Sequence, residues 1–330
     1  MDDRAADSLT RQLGTKAVEP PQVVTFETIL PSAMATRAEE TGVKKAHTDP
    51  LTVLVLSLLG GAFISFGAIF ATTVSAGSVT IASADGAAAL VALPPYGIMK
   101  LLSGVAFSVG LLLVVIAGAE LFTGNNLIVM AWASGKVRTS ELLTNWALVF
   151  VGNCCGALLT AALMFLTTQY TFGHGAIGLA ALSSANGKAA LAFVPALVLG
   201  VMCNALVCLA IWMSYSARTT IDRVVAVVPP VAAFVAAGFE HSIANVYYIP
   251  VGLFIKMGAG EKFWASIGKT PADFPDLTWS NFIANLVPVT IGNAAGGALM
   301  VGLIYWFVYL RPATLASRRS APSQSRESRP

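Results

Sequence analysis

The segment Gly238-Phe-Glu-His-Ser-Ile-Ala-Asn245 puts a carboxylate, an imidazole and an amide inside an apolar block that runs from about residue 222 to 257. A helix needs about 20 residues to cross the hydrocarbon core of a bilayer, and this block is much longer. It contains no polar hairpin turn that could join two complete crossings. The pattern therefore predicts one crossing whose helix is broken near Glu240, with non-helical backbone packed in protein or lining a wet cavity.

A second block, at about 97–134, has the same character, and it shares a motif with the first. The pattern G-x-E-x-x-x-x-N begins at Gly118 and again at Gly238. A longer pattern, N-x6-G-N-x-x-G, begins at Asn145 and again at Asn285, each in the apolar block that follows a broken one. The shared order indicates a duplication. Three crossings in each half make the repeat inverted, and broken helices at corresponding positions then point to a substrate path.

The composition predicts that lipid surrounds most of the chain. Of 330 residues, 56% are hydrophobic and 11% charged, the net charge is +3, and the mean hydropathy is +0.73. Soluble domains carry about 25% charged residues. The basic residues are scattered, which argues against a nucleic-acid-binding surface. Six apolar blocks lie at about 51–75, 97–134, 142–168, 189–215, 222–257 and 282–310. They predict an all-α membrane protein with six transmembrane helices in a 3+3 inverted repeat, the second and fifth helices being broken.

The flanking segments and the charge pattern predict three regions and an orientation. Residues 1–47 are expected to be a disordered N-terminus plus a short helix at 32–46 on the cytoplasmic membrane surface, 48–311 the membrane domain, and 312–330 a disordered cytoplasmic tail. There is no signal peptide, so the first crossing is the expected insertion signal. Lysine and arginine are more frequent on the side that holds both termini, which predicts cytoplasmic termini in a cytoplasmic (inner) membrane. These residues are Lys44, Lys45, Lys136, Arg138, Arg218, Arg223, Arg311, Arg318 and Arg319.

Three ionisable residues at membrane depth, Glu120, Glu240 and His241, are the first candidates for function. A charge at that depth costs at least about 2.5–3.5 kcal/mol, so each needs a polar partner or a role. Either carboxylate could simply accept backbone N–H groups freed by the helix break. Glu240 could instead hold His241 charged. The imidazole lies where two half-helices meet, and we expect it to line a pore.

Other polar residues have two interpretations each. Thr123, in the first break, could supply a hydroxyl and a backbone N–H. The amides of Asn204 and Asn293 lie in apolar helices, where they serve either helix–helix bonding or the path. Lys188, before the fourth block, either reaches to the interface or attracts an anion into a vestibule.

Together these residues resemble the formate/nitrite transporter family, and most closely its formate channels. The resemblance extends from about Leu30 to Arg311. The matching segments are Pro95-Tyr-Gly-Ile-Met-Lys100, Ala119-Glu-Leu-Phe-Thr123, Asn204-Ala-Leu-Val-Cys-Leu-Ala-Ile-Trp-Met-Ser-Tyr215, Gly238-Phe-Glu-His-Ser-Ile-Ala-Asn245 and Pro288-Val-Thr-Ile-Gly-Asn293.

The resemblance implies an aquaporin-like fold, a pore in each subunit and a homopentamer in the membrane. It also implies that His241 faces Thr123 across two loops, the first of which carries Leu121. Polar residues of the implied substrate path are His241, Thr123, Asn204, Glu240, Lys188 and Asn293, and the path also includes Leu121. Apolar constrictions implied above and below that site are Phe107, Leu111, Val207 and Phe234.

The resemblance predicts a channel for small monovalent anions, with formate as the substrate. Moving a carboxylate-sized ion into a medium of low dielectric costs about 20 kcal/mol in the idealised Born treatment. We therefore expect a proton, from His241 or from water, to neutralise the anion as it crosses the apolar ring. Nitrite or hydrosulfide are alternative substrates, because Gly124-Asn125-Asn126 and Val246-Tyr247-Tyr248 depart from the formate-channel pattern.

Other functional classes are less consistent with the motifs. No Asn-Pro-Ala motif of water channels occurs. The zinc-protease motif HExxH, a Cys/His cluster with metal-ligand spacing and the nucleophile elbow G-x-S-x-G are also absent,. We therefore predict neither an enzyme nor a metal or cofactor. A non-transporting membrane subunit remains an alternative that motifs alone do not separate.

Overall fold

The structure is a computed structural model that describes residues 27–76, 79–81, 90–92 and 95–312. Nearly all of the predicted disordered N-terminal segment and tail lies outside the described residues. The described part is mostly helical.

The first half contains one short helix, one long helix, a hairpin and two further apolar helices, the first of which is interrupted. The elements are α1 (Pro31–Ala46), α2 (Pro50–Ser75), β1 (Val79–Ile81), β2 (Leu90–Ala92), α3 (Tyr96–Leu112, extended by a π-helical turn over Leu113–Gly118), α4 (Phe122–Asn125, followed by a 3-10 turn over Asn126–Ile128), α5 (Val129–Ala133) and α6 (Thr139–Leu166).

The second half contains six helices and, among its described residues, no strand. The elements are α7 (Ala176–Ala189), α8 (Phe193–Ser214), α9 (Thr220–Ala236), α10 (Ser242–Gly258), α11 (Glu261–Ile267) and α12 (Trp279–Ala294, continued by π-helical turns over Ala295–Leu303 and Trp306–Leu310). Short 3-10 turns lie at Gln169–Thr171 and Pro271–Asp273.

Five helices in the described residues are long and apolar enough to cross a membrane. They are Pro50–Ser75, Tyr96–Gly118, Thr139–Leu166, Phe193–Ser214 and Trp279–Leu310. The predicted fifth crossing is divided between α9 and α10, which have 17 residues each. The sequence also predicts a fourth block beginning at residue 189, but α8 begins at Phe193 and a separate helix, α7, precedes it. Because α7 mixes small, apolar and polar residues, it has no clear hydropathy signal.

Helix α1 packs against the rest of the protein, where Gly42 lies beside Ala131 and Ile128. Arg37 donates to the carbonyl oxygen of Tyr215 at 2.8 Å, and this contact also fixes the helix. Its place on the cytoplasmic membrane surface stays a prediction. The mostly helical architecture agrees with the predicted fold class, and β1 and β2 add a short antiparallel hairpin.

Close backbone contact between helices positions the rest of the fold. A Cβ atom on Gly156 of α6 would lie 2.0 Å from the carbonyl oxygen of Leu58 in α2. In the second half, a Cβ atom on Gly296 would lie 2.1 Å from the carbonyl oxygen of Val201 in α8. Lipid supplies little hydrophobic driving force between helices, so small residues that admit close packing favour their association. The first and last apolar helices of each half are therefore held in direct contact.

Both interruptions end a helix on a glycine in the left-handed region. Gly118 has φ +84° and Gly238 has φ +74°, which a residue without a side chain adopts at little cost. The chain then runs extended against a neighbouring helix: Glu120 N donates to Leu56 O at 3.2 Å, and Glu240 N donates to Leu199 O at 3.3 Å. The non-helical backbone is thus bonded inside the protein.

Candidate functional site

A new helix begins immediately after each interruption, and an asparagine from an adjacent helix caps it. Asn153 Oδ1 accepts from Phe122 N at 2.8 Å, and its Nδ2 donates to the carbonyl oxygens of Ser57 at 2.7 Å and Glu120 at 2.8 Å. One buried amide therefore connects the interruption to two long helices, α2 and α6. The sequence marks Asn153 only as part of the longer repeated pattern.

Asn293 does the same in the second half. Its Oδ1 accepts from Ser242 N at 2.8 Å. Its Nδ2 donates to the carbonyl oxygens of Gly200 at 2.8 Å and Glu240 at 2.9 Å. Asn293 was predicted to belong to the path or to helix–helix bonding, and these contacts join α8, α12 and the interruption.

The two buried glutamates are partners of lysines, and in the described residues their carboxylates accept no backbone N–H group. The predicted capping role is therefore wrong, because the asparagine amides already occupy the helix starts. Glu120 accepts from Lys45 Nζ at 2.8 Å and from Asn125 Nδ2 at 2.6 Å. Glu240 accepts from Lys188 Nζ at 2.8 Å and from Asn245 Nδ2 at 2.6 Å.

A further asparagine completes each cluster, and four kinds of bond recur in both clusters. One bond does not recur: Lys45 Nζ donates to Asn125 Oδ1 at 3.0 Å, whereas Asn245 Oδ1 has no hydrogen-bond partner among the described residues. Asn145 accepts from Asn125 at 2.9 Å and donates to the carbonyl oxygen of Lys45 at 3.1 Å. The equivalent bonds in the second half join Asn245 to Asn285 at 2.8 Å and Asn285 to the carbonyl oxygen of Lys188 at 2.9 Å. We call Lys45, Glu120, Asn125 and Asn145 the first quartet, and Lys188, Glu240, Asn245 and Asn285 the second quartet.

Lys45 was not predicted to be a site residue, although its position in the chain matches that of Lys188. Lys45 lies five residues before α2 begins at Pro50, and Lys188 lies five residues before α8 begins at Phe193. Each lysine is at the end of a short helix that precedes the first long helix of its half. Lys188 was expected at an interface or in a vestibule. Its side chain is 18% exposed and its ammonium is bonded to Glu240, so it does not extend to the membrane interface.

Three members of each quartet, all except Asn145 and Asn285, line a separate cavity. The first cavity, of about 670 Å³, includes Lys45, Glu120 and Leu121 in its lining. The second cavity, of about 470 Å³, includes Lys188, Glu240 and His241. The two lining sets share no residue.

The hydroxyl of Thr123 and the imidazole of His241 meet in the region between these cavities. Thr123 Oγ1 lies 3.1 Å from His241 Nε2, and Thr123 is fully buried. The other ring nitrogen, Nδ1, accepts from the backbone N–H of Ala244 at 3.1 Å. A backbone N–H can only donate, so Nδ1 carries no proton and the neutral ring has its N–H at Nε2, towards Thr123. The carboxylate of Glu240 is directed to its own quartet and does not hold His241 charged.

Apolar side chains surround this pair. The rings of Phe107 and Phe234 have centroids 5.7 Å apart in an edge-to-face arrangement, and Phe234 stacks on His241 at 6.2 Å. Both phenylalanines line the second cavity. Leu111 and Val207 are almost fully buried and line neither of the two cavities.

Asn204 supports the backbone of Thr123 from the other side. Its Nδ2 donates to the carbonyl oxygen of Thr123 at 3.2 Å, to Asn126 Oδ1 at 2.7 Å and to the carbonyl oxygen of Asn293 at 2.6 Å. Cys208 Sγ lies 3.3 Å from the same Thr123 oxygen. Asn204 lines neither of the two cavities, so its visible contacts are those of a positioning residue.

The residues that departed from the formate-channel pattern have structural partners. Asn125 belongs to the first quartet, and Asn126 accepts from Asn204. Val246 is fully buried. None of the three has a side-chain bond to Thr123 or His241. The residues that differ from the formate-channel pattern therefore lie beside the Thr123–His241 pair and not between its hydroxyl and imidazole.

Comparison with known proteins identifies the family. The sequence profile described as Formate/nitrite transporter matches residues 32–307. The chain belongs to the formate/nitrite transporter family. The enzyme alternative is thereby set aside, since the relatives are named as channels and not as enzymes.

Individual members of the formate/nitrite transporter family are similar over most of the chain. The formate channel FocA of Escherichia coli (strain K12) is 46% identical over 287 residues, which cover 87% of this chain and 96% of that protein. FocA of Haemophilus influenzae is 37% identical over 267 residues, which cover 81% and 89%. A solved structure described as a pentameric formate channel with formate bound aligns with a TM-score of 0.71 and 44% identity, covering 81% of this chain and 99% of that one.

Proposed function

We propose that this chain is a formate channel, and that formate passes between the two cavities through the contact between Thr123 and His241. The relatives named as formate channels support the substrate. The observation that carries the proposed path is the contact between these two polar side chains, 3.1 Å apart, beside the apolar rings of Phe107 and Phe234. In the described residues, no other side-chain bond joins the two interruptions.

The pair offers two hydrogen-bond donors to an anion. The Nε2–H of His241 and the hydroxyl of Thr123 bond to each other when the site is empty, and each can turn one donor to a carboxylate oxygen of formate. Hydrogen bonds to a charged acceptor are about twice as strong as neutral ones, so the exchange favours binding. The backbone contacts of Asn204 and Asn293 hold Thr123 and the start of α10 for this purpose.

In this proposal the proton that neutralises formate comes from the external solution as a hydronium ion in the cavity, which becomes water when formic acid forms. Donation of the Nε2 proton from a neutral ring would leave an imidazolate, which is far too basic at ordinary pH. A protonated ring would need its Nδ1–H, and it would then lose the bond from Ala244 N, which is 3.1 Å long. His241 therefore acts as a fixed donor, while formic acid crosses the apolar ring as the neutral species.

Liposomes containing the purified protein test both the choice of formate as the substrate and the role of His241 as a donor. Uptake of formate, nitrite and hydrosulfide is compared at two pH values, one near and one well above the ordinary pKa of imidazole. We expect formate to be carried fastest, and more rapidly at the lower external pH. His241→Asn, which keeps a donor, should retain the pH dependence with reduced flux, whereas His241→Phe should abolish most of the flux. Equal pH profiles and equal rates for wild type and His241→Phe would refute the role of His241.

We further propose an aquaporin-like inverted repeat of three crossings in each half, with a pseudo-two-fold axis in the membrane plane. The four kinds of bond that the two quartets share support this arrangement, as does the pair of asparagine caps. Residues 31–166 and 176–310 then form the two halves, and α1 corresponds to α7. Six crossings follow when α9 and α10 are taken as one, with 48–311 as the membrane domain and both termini in the cytoplasm of an inner-membrane protein. Cysteines placed in turn at residues 20 and 320 should react with an impermeant thiol reagent only after the cell membrane is opened.

A homopentamer surrounded by lipid is the proposed assembly, supported by the pentameric relative. Long helices carry exposed large apolar side chains, among them Phe66 and Phe70 on α2 and Leu159 and Leu163 on α6. Faces of this kind must be covered by lipid or by a second subunit. Native mass spectrometry from detergent should give five chains, and a monomer that retains full flux would refute the assembly.

A further inference from the structure

The charges that line the second cavity do not cancel. Among the described residues they are Lys100, Lys188 and Glu240, with the neutral form of His241 beside them. Lys188 and Glu240 are in direct contact at 2.8 Å, and their side chains are 18% and 5% exposed. At distances greater than a few ångströms such a pair is nearly neutral, so the net positive charge of the cavity lies on Lys100.

Lys100 has the position and the freedom that this role requires. It is on the first turns of α3, its ammonium lies 5.5 Å from the ring centroid of Tyr96, and its side chain is partly exposed. Across the described ranges, it forms no ion pair. Tyr96 also lines the cavity, and the ring holds the ammonium near the lining without removing its charge.

The first cavity repeats this arrangement. Its lining contains the Lys45–Glu120 pair and two further cations, Lys44 and Arg223. Arg223 lies near the start of α9 as Lys100 lies near the start of α3. Neither Lys44 nor Arg223 belongs to an ion pair in the described part of the chain. Both cavities thus have one neutralised pair within a quartet and an excess of positive charge elsewhere on the wall.

We infer that Lys100 is the residue that attracts anions into the second cavity, and that Lys188 serves chiefly to neutralise Glu240. The inference rests on the proposed anion channel. It reverses the role expected for Lys188 from the sequence. Loss of Lys188 should impair anion entry because it exposes the negative charge of Glu240, so loss of Glu240 as well should restore entry.

The size of the effect follows from Coulomb's law and its screening. A unit charge about 10 Å from the anion, near a low-dielectric wall, changes the local anion concentration by about threefold at low salt. At about 1 M salt the Debye length is about 3 Å, and the effect should nearly vanish. Lys188→Met should reduce formate uptake more than Lys100→Met does. It leaves the charge of Glu240 unpaired, and Glu240 lies deeper in the cavity than Lys100.

The local potential can be measured without transport. Ser183 is exposed in the second cavity, and Ser183→Cys supplies a reporter thiol. The rates of its modification by an anionic and by a cationic methanethiosulfonate reagent are compared, with the parent chain as background. We measure this rate ratio, and formate uptake well below saturation, in Lys100→Met, Lys188→Met and Lys188→Met/Glu240→Gln. Lys262→Met removes an exposed lysine that does not line the cavity and is the matched control.

We expect Lys100→Met to lower the anionic-to-cationic rate ratio and formate uptake at low salt, about threefold in uptake, with no change in Lys262→Met. The double variant should recover most of the loss seen in Lys188→Met. An unchanged ratio in Lys100→Met would overturn the inference, and so would a double variant as low as Lys188→Met. Asp85, the acidic residue between the first two apolar blocks, lies outside the described residues, so Asp85→Asn is included. The rate ratio in Asp85→Asn could rise by as much as it falls in Lys100→Met. That result would show that Asp85 already neutralises Lys100, and it would also overturn the inference.

The two readouts separate this inference from the proposed function. If the wild-type protein fails to carry formate, the channel proposal is refuted. The thiol rate ratio still decides whether Lys100 or Lys188 sets the potential of the cavity.

Discussion

Replacing Asn293 by alanine is expected to loosen the second interruption more than any lipid-facing substitution of similar size. The change removes the acceptor for Ser242 N and the two donors to Gly200 O and Glu240 O. A buried backbone group left without a partner costs about 1–3 kcal/mol. Gly200 O lies within α8 and keeps its helical partner, so two groups lose their partner and the protein should be destabilised by about 2–6 kcal/mol.

Thermal unfolding in detergent, followed by intrinsic fluorescence, measures the change. At about 2–4 °C per kcal/mol, the midpoint should fall by roughly 4–24 °C. Asn153→Ala should have a similar effect, because Asn153 makes the equivalent three bonds in the first half. Val287→Ala is the control, since Val287 is on the same helix and 50% exposed. The structural reasoning is refuted if Asn293→Ala and Val287→Ala have the same midpoint.

Three further substitutions test packing, backbone conformation and the donor pair. Gly156→Ala should lower the unfolding midpoint because its Cβ atom would meet Leu58 O at 2.0 Å. The control is Gly187→Ala, whose Cβ atom would have nothing within 4 Å, so the midpoint should stay unchanged or rise. Equal midpoints in the two variants would contradict the close helix contact. Gly238→Ala should lower the free energy of unfolding by about 1–2 kcal/mol, since φ is +74° and a Cβ atom is disfavoured there. A variant as stable and active as wild type would contradict the need for glycine at this turn. His241→Phe should reduce formate flux by at least about tenfold, the effect of losing one hydrogen bond to a charged group, while the unfolding midpoint changes little; unreduced flux in liposomes would contradict the donor role.

The interruptions could be predicted because their signal is local. A glutamate, a histidine and an asparagine within an apolar block are costly in lipid, so the break near Glu240 follows from composition and length. Only the resemblance implied that Thr123 faces His241. The two residues are 118 positions apart, and no local sequence pattern connects them. The structure brings these two side chains together, while their part in transport stays a prediction.

The partners of the glutamates could not be found in the same way. Lys45 lies on a helix that was expected on the membrane surface, and its bond to Glu120 joins positions 75 residues apart. Helix α7, which carries Lys188, mixes polar and apolar residues and was not recognised as a helix. In both cases an amphipathic segment is covered by the protein, and a pattern in one segment does not reveal which surface will cover it.

The chain order within each quartet has a consequence for biosynthesis. Lys45 precedes Glu120 and Lys188 precedes Glu240, so a cation is already present when each carboxylate leaves the ribosome. The amides that cap the interruptions, on Asn153 and Asn293, emerge later, one apolar helix further along. Each half can thus neutralise its carboxylate on entry to the bilayer, but its interrupted helix is secured only when the last helix of that half arrives. The half-molecule, rather than the single helix, is therefore the natural unit of insertion.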